Sequence, residues 1–390
     1  MHKVILVMGP HRESARLIPL YFSLEKLGFS AFISAPSTRD AVIEEMLTFF
    51  GLKPDIEIRY DDSKSEQAFL TDELLKQHYE LILRYKPSVI VTEGHSILSF
   101  AASLAASYHH IPVCHLESDS RMLLAAGDSK HTHRDMHRGF MRLMATYHFA
   151  STPAQAAHIL AQGIRRDAVF CVGDSYVDLL KILGQKMPCK ELASGLDKTW
   201  FSSRFSNKAH QLLVSLQEGQ LSKAERETLF MTLSTLLDAN QALSIVLAVE
   251  NVESTDRLSG WPGFIHERVF VRSPGTYQEF ISLVISCDSV VTDCYDLHED
   301  AVFLDKPVIF LRTHIDRVET IWAGLTYPTG VNGQKILDSF EHLLTHYKPG
   351  RAAALYGQGD AADKIATVLA TRLASPLLTH SKHYSPKSVL

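Results

Sequence analysis

Short runs of aliphatic and β-branched residues alternate along this chain with longer segments whose apolar positions recur at helical spacing. The first run, VILVM (4–8), is followed by a helical pattern from about Glu13, then by SAFISA (30–35) and a helix near 38–50. The same rhythm continues through PSVIVTEG (87–94), a helix over 97–109, IPVCHLE (111–117), HFAST (148–152), a helix from Pro153 and AVFCVGD (168–174). These strand candidates are apolar on both faces, as a parallel sheet covered by helices requires. From about 185 to 208 the periodicity lapses into a mixture of Gly, Pro, Ser and Lys, which predicts a linker over 186–208. Beyond it come QLLVSL (211–216), a helix over 221–238, ALSIVLAVE (242–250), RVFVR (268–272), a helix over 276–286 and DSVVTD (288–293). KPVIFLR (306–312) closes the second array.

Two consecutive βαβ arrays in 390 residues, more than one core usually organises, predict an α/β protein. Its two Rossmann-like, doubly wound parallel-sheet domains, 1–185 and 209–360, are expected to face an interdomain cleft. Residues 361–390 are expected to form a terminal helix and tail, the helix packing back on the first domain.

Composition narrows the function. Hydrophobic residues at 46% and charged ones at 21% describe a globular chain, and a net charge of −5 argues against a nucleic-acid surface. No apolar stretch approaches the length of a membrane span. The five cysteines are scattered without a CxxC pair, which predicts a reducing, cytoplasmic setting. There is no GxGxxG after the first strand and no GxxxxGK[ST], so dinucleotide and ATP chemistry lose their usual support. A small-molecule partner and no cofactor are expected.

Several blocks carry a more specific signal. GPHRESARLIPL (9–20), SLAASYHHIPVCHLES (103–118), VGDSYVDLL (172–180), PGTYQEFISLV (274–284), VTDCYDLHEDAVFLDKPVIFLR (291–312) and THIDRVETIWAG (313–324) follow one another in fixed order. In that order they resemble the non-hydrolysing UDP-N-acetylglucosamine 2-epimerases, which have the GT-B fold. The resemblance implies a UDP-sugar ligand, a homodimer and a place in polysaccharide biosynthesis. It also implies a reaction that eliminates UDP to leave a glycal and adds it back with C2 inverted. Acids and bases must then stand on both faces of one sugar ring.

By the same resemblance Glu117 and Arg121 match family positions, with Glu117 as an acid or base. His95 stands where the family has an aspartate and is its candidate partner. His133, Arg134 and Asp135 fall on a proline-glutamate-glutamate run, and Gln217 replaces a histidine and cannot shuttle protons near neutral pH. Arg16 replaces a lysine and His11 an arginine in the opening loop. Cys294, Tyr295 and Asp296 fall on a serine and two glycines at a helix start, where bare N–H groups would meet a diphosphate. Asp300 is implied at the ribose, Tyr277 and Phe280 near the uracil, and Arg312 and Arg317 at matching arginines.

Other readings of the same residues stay open. Glu117 could cap a loop, His95 could be a structural helix-start residue, and Tyr277 and Phe280 could be core. His133 and His137 share an i,i+4 face able to present two metal ligands, although no complete metal motif accompanies them. The altered proton inventory leaves two alternatives to epimerisation: a GT-B glycosyltransferase, or a non-catalytic nucleotide-sugar binding or regulatory protein.

Overall fold

A computed structural model describes residues 2–9, 12–37, 41–59, 66–117, 133–186, 210–217, 219–249, 266–315 and 317–374. The expected linker, 186–208, lies outside the described residues except for Lys186, which is the last residue of a helix, and so do His11, Arg121 and Cys189. The chain forms two compact units, one from residues up to Leu179 together with those from Gly357 onward, the other from Leu180–Tyr356.

The first unit carries strands β1 (Lys3–Val7), β2 (Ser30–Pro36), β3 (Ile56–Ile58), β4 (Val89–Glu93), β5 (Val113–Glu117), β6 (Tyr147–Ala150) and β7 (Val169–Cys171). They form one sheet in the order β3-β2-β1-β4-β5-β6-β7, parallel at every pairing. Its helices are α1 (Leu17–Lys26), α2 (Ala41–Phe49), α3 (Gln67–Tyr85), α4 (Ile97–Tyr108), α5 (His133–Met144), α6 (Pro153–Ala161) and α7 (Ser175–Lys186), the last running across the division between the units. Helix starts follow local chemistry: Ser96 Oγ accepts from the Ser99 N–H ahead of α4, and Thr152 caps α6 with Pro153 at its first turn. Ile5, Val7 and Ile90 pack from the sheet onto Leu74, Leu81, Leu98 and Ala102, all buried. Each such aliphatic side chain contributes about 1.5–3 kcal/mol on burial.

The second unit holds β8 (His210–Ser215), α8 (Lys223–Ala239), β9 (Leu243–Ala248), β10 (Val269–Arg272), α9 (Tyr277–Ser286), β11 (Ser289–Thr292), α10 (Tyr295–Phe303), β12 (Val308–Phe310), α11 (Glu319–Trp322), β13 (Thr326–Pro328), α12 (Gly333–His346) and α13 (Arg351–Tyr356). Its sheet runs β10-β9-β8-β11-β12-β13, again wholly parallel. The array does not close at KPVIFLR: β13 adds one more strand, three residues ending in proline, too short to read as a run. Ser222 and Glu225 start α8 with a reciprocal capping box.

Helix α14 (Ala361–Ala374) belongs to the first unit and packs on α1, where Ser23 Oγ donates to Asp363 Oδ1 at 2.7 Å. The Asp178 carboxylate receives the N–H groups of Ala361 and Ala362 at its start. No helix among the described residues is long and apolar enough to cross a membrane.

Candidate functional site

Parallel strands bring their carboxyl ends to one edge, and the edge opens where strand order reverses. In the first sheet that point lies between β1 and β4. After β4 the chain turns through Gly94, whose φ of 64° suits glycine, into His95 and the α4 cap Ser96. A Cβ on Gly9, just past β1, would lie 3.4 Å from Ser96 Oγ, so the two turns adjoin, and Ser14 Oγ holds the first by donating to the Gly9 carbonyl at 3.0 Å. His95 is half-buried at this edge.

Arg16 ends the 3-10 turn Arg12–Arg16 that leads into α1, and it is almost fully buried. Its Nε donates to Asp174 Oδ1 at 2.9 Å, Glu93 Oε1 stands 3.9 Å from Nη1, and the guanidinium lies 5.0 Å over the Tyr176 ring. Ser151 Oγ and the Tyr176 N–H also donate to Asp174. One guanidinium thus gathers the ends of β1, β4 and the turn after β7.

Glu117, the last residue of β5, is only 3% exposed. Arg142 of α5 grips it through two bonds, Nε to Oε1 at 3.0 Å and Nη2 to Oε2 at 3.1 Å. His115 Nε2 and His148 Nδ1 stand 3.8 and 3.7 Å from Oε1. The strand register explains this: His115 lies opposite both Thr92 and His148, and Glu117 follows two residues along on the same sheet face. Burial alone would raise the Glu117 carboxyl, but His115, His148 and Arg142 outweigh it and hold it well below the usual carboxylate range. Burial pushes His115 itself down to about 4, whereas the Arg142 guanidinium keeps its charge throughout the working pH range.

In the second sheet the reversal falls between β8 and β11. Asp293, just past β11, is buried and takes the Gln217 N–H at 2.8 Å, and burial raises its pKa. Cys294 precedes α10 without a side-chain cap to the helix. Tyr295 does not stand free at the helix start: its ring packs edge-on against Phe310, Arg312 lies 4.8 Å over it, and its hydroxyl donates to the His314 carbonyl at 3.3 Å. Asp296 is exposed. Arg312 Nε donates to the Asp293 carbonyl at 2.6 Å and Nη2 to Gln220 Oε1 at 3.2 Å.

Tyr277 Oη donates to Asp300 Oδ2 at 2.9 Å, both residues buried, with Phe280 half-buried one turn along α9. Arg317 is held by Glu299 and stacks over the Phe303 and Tyr356 rings at 5.1 and 5.3 Å. The histidine-rich run enters α5 at His133, and the His137 ring stacks on Phe100 at 4.5 Å. No group of three or more metal-binding side chains occurs among the described residues.

The structure therefore joins Arg16 to Asp174, Glu93 and Ser151, and Glu117 to Arg142, His115 and His148. Asp174 and Asp293 had a signal in sequence, a carboxylate directly after a strand and before a helix. Arg142 had none, since a basic residue on an amphipathic helix reads as solvated.

A sequence profile described as UDP-N-acetylglucosamine 2-epimerase matches residues 34–370. The UDP-N-acetylglucosamine 2-epimerase of Escherichia coli K12 is 26% identical over 378 residues, spanning 94% of this chain and 98% of its own. That of Salmonella typhimurium is 25% identical over 374 residues, with 94% and 98% covered. Among solved structures, the UDP-GlcNAc 2-epimerase from Neisseria meningitidis bound to UDP-GlcNAc superposes with a TM-score of 0.79 at 22% identity, covering 95% of this chain and all of that one.

Proposed function

Because the chain belongs to the UDP-N-acetylglucosamine 2-epimerase family, we propose that it binds UDP-GlcNAc or a closely related UDP-sugar and inverts the sugar at C2. The C1–O bond to UDP breaks as the C2 proton leaves, giving a glycal; a proton then returns to C2 on the other face while the UDP oxygen re-forms the bond to C1. No net oxidation occurs, so no redox cofactor is needed. The observation that carries this reading is the gathering of ionisable side chains along the carboxyl edge of each sheet, Glu93, His95, Glu117 and Asp174 in one unit and Asp293 with Arg312 in the other.

In this reading the second unit takes the nucleotide. Phe280 and Tyr277 lie by the base, Asp300 fixes the Tyr277 hydroxyl beside the ribose, and Arg317 stands near them. Cys294 and Arg312 at the α10 start serve the diphosphate, and the Tyr295 ring, being drawn under Arg312, leaves that approach less obstructed than its bulk suggests. Glu117 and His95 serve the sugar, and His11, Arg16 and Arg121 are assigned to nucleotide-sugar binding by the resemblance.

Calorimetric titration with UDP-GlcNAc, followed by chromatography of the mixture, tests the proposal. Binding with appearance of the 2-epimer supports it. Binding without conversion moves the chain to the transferase or sensor alternatives, and absence of binding to both UDP-GlcNAc and UDP ends the nucleotide-sugar reading.

A homodimer, a cytoplasmic setting and a role in polysaccharide biosynthesis complete the proposal. The dimer is supported by exposed Met136, Phe140 and Leu143, which recur at helical spacing on α5 beside Phe100 of α4. The cytoplasmic setting is supported by Cys114, Cys171 and Cys287 being free thiols.

A further inference from the structure

We propose that Arg142 is a positioning residue that locks Glu117 as a fixed carboxylate, so that in this chain Glu117 supplies charge to the sugar side of the site and does not carry a proton. The inference rests on the reading of Glu117 as a sugar-side residue given above.

The geometry argues for a lock. A general acid or base must exchange a proton at one of its oxygens, and both oxygens of Glu117 accept from one guanidinium, so protonating either would weaken a charge-assisted pair of bonds. The guanidinium is itself fixed: Arg142 is 2% exposed, and Nη1 donates to Gln162 Oε1 at 3.1 Å. The Glu117 backbone is held as well, its carbonyl accepting from Ser151 Oγ at 3.2 Å.

The other ionisable groups around the carboxylate do not loosen it. On β5 and β6 it faces His115 and His148, on α5 it faces Arg142 with Arg138 beyond, and His158 of α6 lies within electrostatic reach. Thr92 Oγ1 of β4 lies 3.3 Å from His115 Nδ1, so that ring is held from its far side. Burial keeps His115 uncharged until about pH 4, and burial lowers His158 as well. Among these described residues, Arg142 has the shortest charge-assisted contacts to Glu117, and those contacts persist across the pH range in which an epimerase would work. With Gln217 unable to titrate, His95 is then one candidate on the sugar side to exchange protons, and the opposite face of the ring needs a second group.

The test is carboxyl-carbon NMR of protein labelled at Glu Cδ, with the Glu117 resonance assigned by its loss in Glu117→Gln. In the wild-type chain the resonance is expected to hold its ionised shift from pH 9 down to pH 5, with and without UDP-GlcNAc. In Arg142→Met, a folded variant is expected to show a Glu117 midpoint raised by at least about one pH unit, because burial then acts without its cation. Arg142→Lys keeps the charge but not the two-point grip, and it carries the test should the methionine variant fail to fold. It is expected to keep Glu117 ionised while lowering kcat for 2-epimer formation about tenfold or more, with KM within about twofold.

A wild-type Glu117 that titrates between pH 5 and 9 would overturn the lock, as would a folded Arg142→Met protein with an unmoved midpoint or an Arg142→Lys enzyme with unchanged kcat. Failure of the wild-type chain to form any 2-epimer would count against the proposed reaction alone, because the carboxyl titration does not depend on turnover.

Discussion

The Arg16 guanidinium and the Asp174 carboxylate meet at 2.9 Å, although 158 positions separate them in sequence. Both are buried, and the contact ties the turn leaving β1 to the turn entering α7. It spans the same strand-end edge at which His95 and Glu117 stand. Arg16, for which the family resemblance implies a place facing the anionic ligand, therefore has a structural duty as well.

Removing one partner of such a pair strands the other charge out of water. Arg16→Met is expected to lower the unfolding free energy by about 3–5 kcal/mol in urea melts at neutral pH, and Arg16→Lys by less. An unchanged urea midpoint in the methionine variant would mean that solvent reaches Asp174.

Asp178 of α7, whose carboxylate accepts the first N–H groups of α14, is pushed up to about 6, chiefly by burial and then by Asp174 and Asp360, against those two N–H groups. A carboxyl raised on folding binds more protons in the folded state, so its favourable contribution is full below about pH 4 and fades as pH rises to about 6. Relative to wild type, Asp178→Asn should gain about 3 kcal/mol of stability between pH 4 and pH 7. Parallel stability curves for the two proteins across that window would refute this.

His78 acts with the opposite sign. It is fully buried in α3 with Nδ1 2.7 Å from the Leu74 carbonyl, and burial pushes it down to about 4. The unfolded chain binds the proton first, so stability from this residue is full above about pH 6.5 and lost as pH falls toward 4. His78→Leu is expected to remove about 3 kcal/mol of the acid-induced loss, measured as the difference between denaturant melts at pH 7 and pH 4.

The exposed apolar stripe on α5 makes a prediction about assembly. Leu143 is 76% exposed, so Leu143→Glu should leave the fold intact. Light scattering after size exclusion should show a dimer for the wild-type chain and a shift toward monomer for the variant. A wild-type monomer at micromolar concentration would remove the dimer from the proposal.

Much of the fold was legible because parallel strands buried on both faces write themselves as unbroken apolar runs. VILVM became β1 and ALSIVLAVE became β9 with small shifts at the ends. The elements that escaped were those with weak runs, β3 with a glutamate at its centre and β13 ending in proline. Of the site, Glu117 was singled out through the block it shares with the family, whereas Asp293, which directly follows β11, was not. What could not be read was pairing. Whether Arg142 points into the sheet or out to solvent depends on how α5 rolls on β5 and β6, and a local pattern of apolar positions leaves that angle loose.

The return of α14 to α1 has a practical consequence for anyone dividing this gene. In chain order the second unit is an insertion within the first, entered at Leu180 and left at Tyr356. A fragment that stops at Tyr356 would keep every strand of both sheets yet strip the cover from α1, and an amputated first unit of this kind should be the one digested by protease. An expressible first unit would have to splice the segment ending at Leu179 to the one beginning at Gly357, whereas the second can be cut out whole.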